Sequence, residues 1–209
     1  MKHEWRKKEK ELYLPKNSPE IVEVPTFQFL TIAGAGNPNS DSFPECISVL
    51  YALSYAIKMT LKKESKINDY QDYTVYPLEG VWDINEEAQK TFDGTLNKDD
   101  LVFTLMIRQP DFVDAAFVER MREQTQVKKP HPLLEGVKFE TIEEGLCVQM
   151  MHLGSYDSEP ESFERMEDFA VKNQLQRISK THREIYISDF RKVVPEKLKT
   201  VLRFQAKAI

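Results

Sequence analysis

Glu184 stands in the run Arg183-Glu184-Ile185-Tyr186-Ile187-Ser188-Asp189 as one acidic side chain among apolar and aromatic neighbours. A carboxylate in such surroundings can act as a general base on water or as counter-charge to a cation. Ile and Tyr favour a pleated, half-buried surface, so the run reads as a strand. Alternation then puts His182, Glu184 and Tyr186 on one face and Arg183, Ile185 and Ile187 on the other. Without a ligand, the same pattern describes a solvated face, or an ion pair between Glu184 and Arg203 or another base across the sheet. Tyr55, Tyr76, Trp82, Tyr156 and His152 are the candidates for a wall around Glu184 and Tyr186. Such a wall suits a flat apolar molecule, because rings stack on Trp and Tyr while a few polar groups orient the ligand. Glu79, in Pro77-Leu78-Glu79-Gly80-Val81-Trp82, is a second acid, and its place beside a Gly turn leaves a structural role equally open.

Other chemistries find less support. His3, His131, His152 and His182 are scattered, with no H-x-x-x-H or H-E-x-x-H pattern, so no metal is expected. Gly34-Ala35-Gly36 lacks the third Gly of a dinucleotide fingerprint and the Lys-Ser/Thr of a P-loop, so no nucleotide cofactor is expected either. Cys46 and Cys147 lie outside any C-x-x-C pattern and read as small buried hydrophobes.

Composition narrows the classes further. At 209 residues the chain is long enough for one large domain or two small fused units. Hydrophobic residues at 41% allow a substantial core, and no apolar run is long enough to cross a bilayer. The N-terminal Met1-Lys2-His3-Glu4-Trp5-Arg6 run lacks the apolar centre of a secretory signal, which gives a cytoplasmic expectation. A net charge of −5 disfavours nucleic-acid binding, which needs a concentrated basic surface.

Periodicity predicts an α+β fold with the order strand, helix, strand, strand, given twice. The first series has a strand over 24–33, a helix from Asp41 or Ser42 to about Lys62, a strand over 73–82 broken near Pro77, and a strand over 101–108, with 83–100 as a loop. Pro110 is expected to open a linking helix to about Lys129, with Phe112, Val113, Ala116, Phe117 and Met121 as its apolar stripe. The second series has strands over 139–142 and 146–152, a helix over 159–173, the Glu184 strand and a last strand over 198–206. Gly36 followed by Ser42-Phe43 matches Gly154 followed by Ser162-Phe163, each between a strand and a helix, which supports an internal repeat. Repeat one then covers about 20–109 and repeat two about 136–209, as one domain over 1–209 with a ligand cleft between the repeats.

The two repeat helices differ. The second carries one apolar stripe, Phe163, Met166, Phe169 and Ala170, and is otherwise charged. The first adds Tyr51, Tyr55 and Met59 at four-residue spacing to the stripe of Phe43, Ile47, Leu50, Ile57 and Leu61. Tyr51 and Tyr55 are either plain core or side chains whose hydroxyls reach a pocket.

Over most of its length the chain resembles the GyrI-like small-molecule-binding family, related to the effector-binding domains of BmrR- and Rob-type regulators. The resemblance rests on Pro77 to Trp82, Met106 to Val113, Glu143 to Asp157, His182 to Asp189 and Lys199 to Arg203, taken together and in this order. It implies two β-α-β-β repeats with pseudo-twofold symmetry, antiparallel sheets, and a cleft with an acid that matches Glu184. Arg183 departs from the pattern, standing where His is expected beside the acid. The Trp82 and Glu184 blocks resemble the stand-alone subgroup that hydrolyses cyclopropane-bearing alkylating toxins. With the reading of the residues above, the expectation is a metal-free hydrolase without cofactor, with Glu184 acting on water, Tyr55 donating to the developing oxyanion, and Trp82, Tyr51, Tyr76, Tyr156, Tyr186 and His152 holding a flat aromatic substrate. The alternative is sequestration of aromatic or cationic drugs without turnover, with Glu184 as counter-charge. A role as a protein module acting on gyrase has no patch in this sequence to argue for it.

Overall fold

The computed structural model describes residues 2–64 and 70–209. The chain divides into two compact units, one built mainly from residues 27–76 and 82–142, the other from 4–26, 77–81 and 143–209.

In the first unit, β2 (Phe27–Ala35) pairs antiparallel with β4 (Leu101–Gln109) on one side and with β5 (Lys138–Ile142) on the other. The long helix α3 (Ser42–Glu64) packs on β2 and β4, and α5 (Ala115–Lys128) packs on α3. Leu50, Leu53 and Ile57 of α3 are fully buried, as are Leu30 of β2 and Leu105 and Ile107 of β4. An aromatic cluster closes one end: Phe43, Phe103 and Trp82 have ring centroids 5.1–5.7 Å apart. It explains Gly34, because a Cβ there would lie 2.3 Å from Phe103 Cε2.

The second unit has α1 (Trp5–Lys8), α2 (Lys10–Tyr13) and the strand order β1 (Glu20–Val24), β6 (Gly145–Leu153), β9 (Lys199–Ala208), β8 (His182–Tyr186), with β7 (Leu175–Arg177) also on β9. Each of these pairs is antiparallel. Helix α6 (Glu159–Lys172) lays Met166 and Ala170 on Val148, Met150, Leu202 and Phe204. Strand β3 (Leu78–Ile84) contributes Leu78–Val81 to this unit and Trp82 onward to the first.

Each unit thus holds one strand-helix-strand-strand series, as the repeat predicts, with differences of detail that have physical reasons. Pro25, without an N–H, separates the expected strand, β2, from an additional strand, β1, which overlaps the expected 24–33 range only at Val24 and pairs with β6 of the second unit. In the mirror-image exchange, β5 joins β2 of the first unit. Residues 73–77 form no strand beyond one isolated bridge of Tyr73 to His3. The expected loop contains a short helix, α4 (Glu86–Thr91), capped by Asn85. Helix α5 starts at Ala115 and not at Pro110, because the Asp114 side chain accepts from Phe117 N at 2.7 Å. Among the described residues, no helix is long and apolar enough to cross a membrane. Both cysteines are free and buried, and burial pushes the Cys147 thiol up to about 12.

One face of the second unit's sheet carries a buried ionic network. Arg183 is 4% exposed, and its Nη1 donates to Glu79 Oε2 at 2.7 Å while Nε reaches Glu144 Oε1 at 2.9 Å. Arg203, its partner across β8 and β9, binds Glu144 Oε2 at 3.0 Å, Gln149 Oε1 and the Leu12 carbonyl. Burial raises the Glu79 carboxyl above its usual range, and the Arg183 guanidinium pulls against that. The role of Glu79 here is structural. Removing one partner of a buried pair leaves an uncompensated charge, so Arg183→Leu is expected to cost roughly 3–5 kcal/mol of stability. Urea unfolding measures this, and a midpoint unchanged from wild type would contradict it.

Candidate functional site

The strand that turns Arg183 to the ionic network turns Glu184 and His182 the other way, since neighbouring side chains leave opposite faces. Arg203 is fully engaged with Glu144, Gln149 and Leu12, so Glu184 does not form the ion pair with it that the sequence allowed. Arg183, the departure from the family pattern, likewise points away from Glu184.

What meets Glu184 is Glu159, the first residue of α6. Both are buried, at 8% and 7% exposure, and their carboxyl groups are within hydrogen-bond reach of each other. When two carboxyl groups share a site, repulsion between their charges raises the pKa of one of them. Burial, followed by the charge of and hydrogen bond to Glu184, raises Glu159 well above the usual carboxylate range. The protonated form of Glu159 is thereby favoured. His182 Nε2 stands 3.3 Å from Glu184 Oε1, its Nδ1 faces the Lys180 carbonyl at 3.4 Å, and Phe163 packs against the ring at 4.7 Å between centroids. Glu159, His182 and Glu184 each offer a ligand-type atom, all within 4.8 Å of one another.

Tyr156 borders the pair. Burial raises its phenol above the usual range, and Glu184 and Glu159 add to the effect, so the hydroxyl stays neutral and able to donate. Tyr186 meets Tyr156 edge to face, with centroids 6.2 Å apart. His152, expected on the ligand wall, is buried at 4% exposure. Its Nε2–H donates to the Ser155 carbonyl and its Nδ1 accepts from the Ser162 hydroxyl, each at 2.9 Å. It fixes the turn that carries Tyr156 and the start of α6, with Gly154 (φ +133°) allowing that turn. Both ring nitrogens are thus engaged within the fold.

The remaining expected site residues belong to the first unit. Trp82 is buried at 6% in the aromatic cluster with Phe43 and Phe103. Tyr76 is buried, with the Arg108 guanidinium 4.5 Å from its ring centroid. Tyr51 is half-buried and stacks on Tyr55 at 6.3 Å; Tyr55 is half exposed, so this face of α3 is not plain core.

Glu159 is the residue that sequence reasoning missed. An acid in the first turn of a charged surface helix is its ordinary place, complementing the helix dipole, and gives no sign of burial. His182 had a signal, its two-residue spacing from Glu184 on a strand.

The profile of the GyrI-like small molecule binding domain matches residues 17–207. Two crystal structures of hydrolases from Listeria innocua are similar at 35% and 37% identity, with TM-scores of 0.87 and 0.88; 98% and 99% of this chain and all of each relative are covered. The C-terminal domain of EcmrR shares the fold at 13% identity and a TM-score of 0.52, over 92% of this chain and 98% of that one. Against the curated proteins the sequence finds no significant match.

The state of Glu159 has a consequence for stability. Its proton is held more tightly in the folded chain than in the unfolded one. Between the two pKa values the folded chain therefore binds more protons, and stability falls as pH rises from the ordinary carboxylate range through the raised folded value. Glu159→Gln keeps a hydrogen-bond donor and cannot ionise. Its urea midpoint is expected to gain on wild type as pH rises across that window; parallel profiles would contradict the assignment.

Proposed function

The chain belongs to the GyrI-like small-molecule-binding family, and from that premise we propose that it is a hydrolase whose acid–base pair is Glu184 and Glu159. The observation that carries this reading is the buried carboxyl pair, in which Glu159 is held well above the usual carboxylate range, beside a Tyr156 phenol that is raised as well. Similarity over the full length of two proteins described as hydrolases supports it. The substrate class we propose is the flat, strained cyclopropane-bearing electrophile that the family resemblance implies, with protection of the cell as the role and no metal needed for turnover.

In this reaction Glu184 takes a proton from water as the oxygen bonds to a ring carbon. The ring C–C bond breaks, its electron pair moves to the conjugated carbonyl oxygen, and that oxygen receives the proton of Glu159. The net change is addition of one water. Glu184 is then protonated and Glu159 ionised, so one transfer across their hydrogen bond restores the starting state. Tyr156 takes the hydrogen-bonding role first given to Tyr55, donating to the oxygen on which charge develops. His182 holds the Glu184 carboxylate in orientation.

Mass spectrometry of a cyclopropanoid alkylator incubated with the protein tests this. Wild type is expected to add one water catalytically, and Glu184→Gln to lose roughly 100 to 10,000-fold in rate, the range for a positioned acid or base. Unchanged hydration by Glu184→Gln would sink the assignment. A compound bound but not hydrated by wild type would favour sequestration.

A further inference from the structure

We propose that Glu159, Glu184 and His182 form a binding site for a divalent transition-metal cation of the zinc class. The donor set is two carboxylates and one imidazole, with ligand-type atoms all within 4.8 Å of one another. Zinc in hydrolytic sites takes three nitrogen or oxygen ligands of this kind and keeps one position open. Ligand bonds of about 2.0–2.1 Å at the tetrahedral angle put neighbouring donor atoms about 3.3 Å apart. His182 Nε2 and Glu184 Oε1 are separated by 3.3 Å.

The hydrogen-bond chemistry points the same way. A neutral His182 has one proton for two acceptors, the Lys180 carbonyl at 3.4 Å and Glu184 Oε1 at 3.3 Å; with a cation bound the proton lies on Nδ1, toward the carbonyl, and the Nε2 lone pair is free to ligate. A histidine whose far nitrogen is anchored on a carbonyl is the usual arrangement of a metal-binding imidazole. Nε2 and the Glu184 oxygen are then two acceptors face to face, and a cation between them satisfies both. Glu159, 7% exposed, has an oxygen, Oε1, with no hydrogen-bond partner. Phe163 packs against the imidazole edge to face, with ring centroids 4.7 Å apart. The mixed nitrogen and oxygen donors favour zinc, cobalt or manganese over calcium and magnesium, which take oxygen alone, and the lack of sulfur disfavours copper(I). A cation here replaces the proton of Glu159, so it competes with the acid–base chemistry of the same residues.

The test is titration of the chelator-treated full chain with Zn²⁺ by calorimetry and with Co²⁺ by visible absorption. One saturable site per chain is expected, weakened at least tenfold by Glu159→Gln and by His182→Ala, and unchanged by Glu86→Gln on the exposed helix α4. A wild-type measurement covers failure of a variant to fold: imidazole ¹⁵N spectra are expected to show Zn²⁺ shifting Nε2 of His182 and leaving His152 in place. Absence of saturable binding, equal affinity in folded variants, or an unmoved His182 signal would each overturn the site. Hydrolysis by the metal-free chain reports on the acid–base reading separately. Its absence there would overturn that reading and leave the cation site standing.

Discussion

Arg183 lies between Glu79 and Glu144 with almost none of its surface in water, and the geometry of the candidate site depends on that clamp. A strand has only two faces. Holding Arg183 on one of them determines that its neighbours His182 and Glu184 present themselves on the other. A slip of one residue would bury Glu184 among carboxylates and turn the guanidinium toward Glu159. Such a slip carries the cost of several uncompensated buried charges, which makes the register of β8 well specified.

The two faces balance charge by different means. On the Arg183 face two guanidinium groups meet two carboxylates, and the hydrogen bonds of Gln149 and the Leu12 carbonyl complete the network. On the other face two carboxyl groups are buried with one imidazole as their basic neighbour. The balance there needs a small positive particle. A proton on Glu159 supplies it in the hydrolytic reading, and a divalent cation does so in the metal-binding one. Both follow from one feature: among the described residues, buried acids outnumber the fixed cations in contact with them.

Much of this was legible in the sequence. The period-two pattern of His182 to Tyr186 placed Glu184 on the right face, and the repeated strand-helix-strand-strand order gave the duplicated α+β fold. Boundaries shifted where single residues act on the backbone: Pro25 dividing β1 from β2, and Asp114 delaying the start of α5. The exchange of β1 and β5 between the units was not legible, because pairing partners depend on residues far apart in sequence. Glu159 was hidden for a related reason. Its type and position match a solvated helix start, and only the packing of α6 against the sheet makes it a buried acid. The burial of His152 was not legible, since two hydroxyls and a carbonyl claim its nitrogens only after the turn has folded.

The central claim is that Glu159 keeps a proton beside Glu184, and infrared spectroscopy of the carboxyl C=O stretch tests it most directly. The account predicts a protonated-carboxyl band in the metal-free wild type at neutral pH that disappears in Glu159→Gln. A spectrum with ionised carboxylate bands alone, identical in the two proteins, would contradict it.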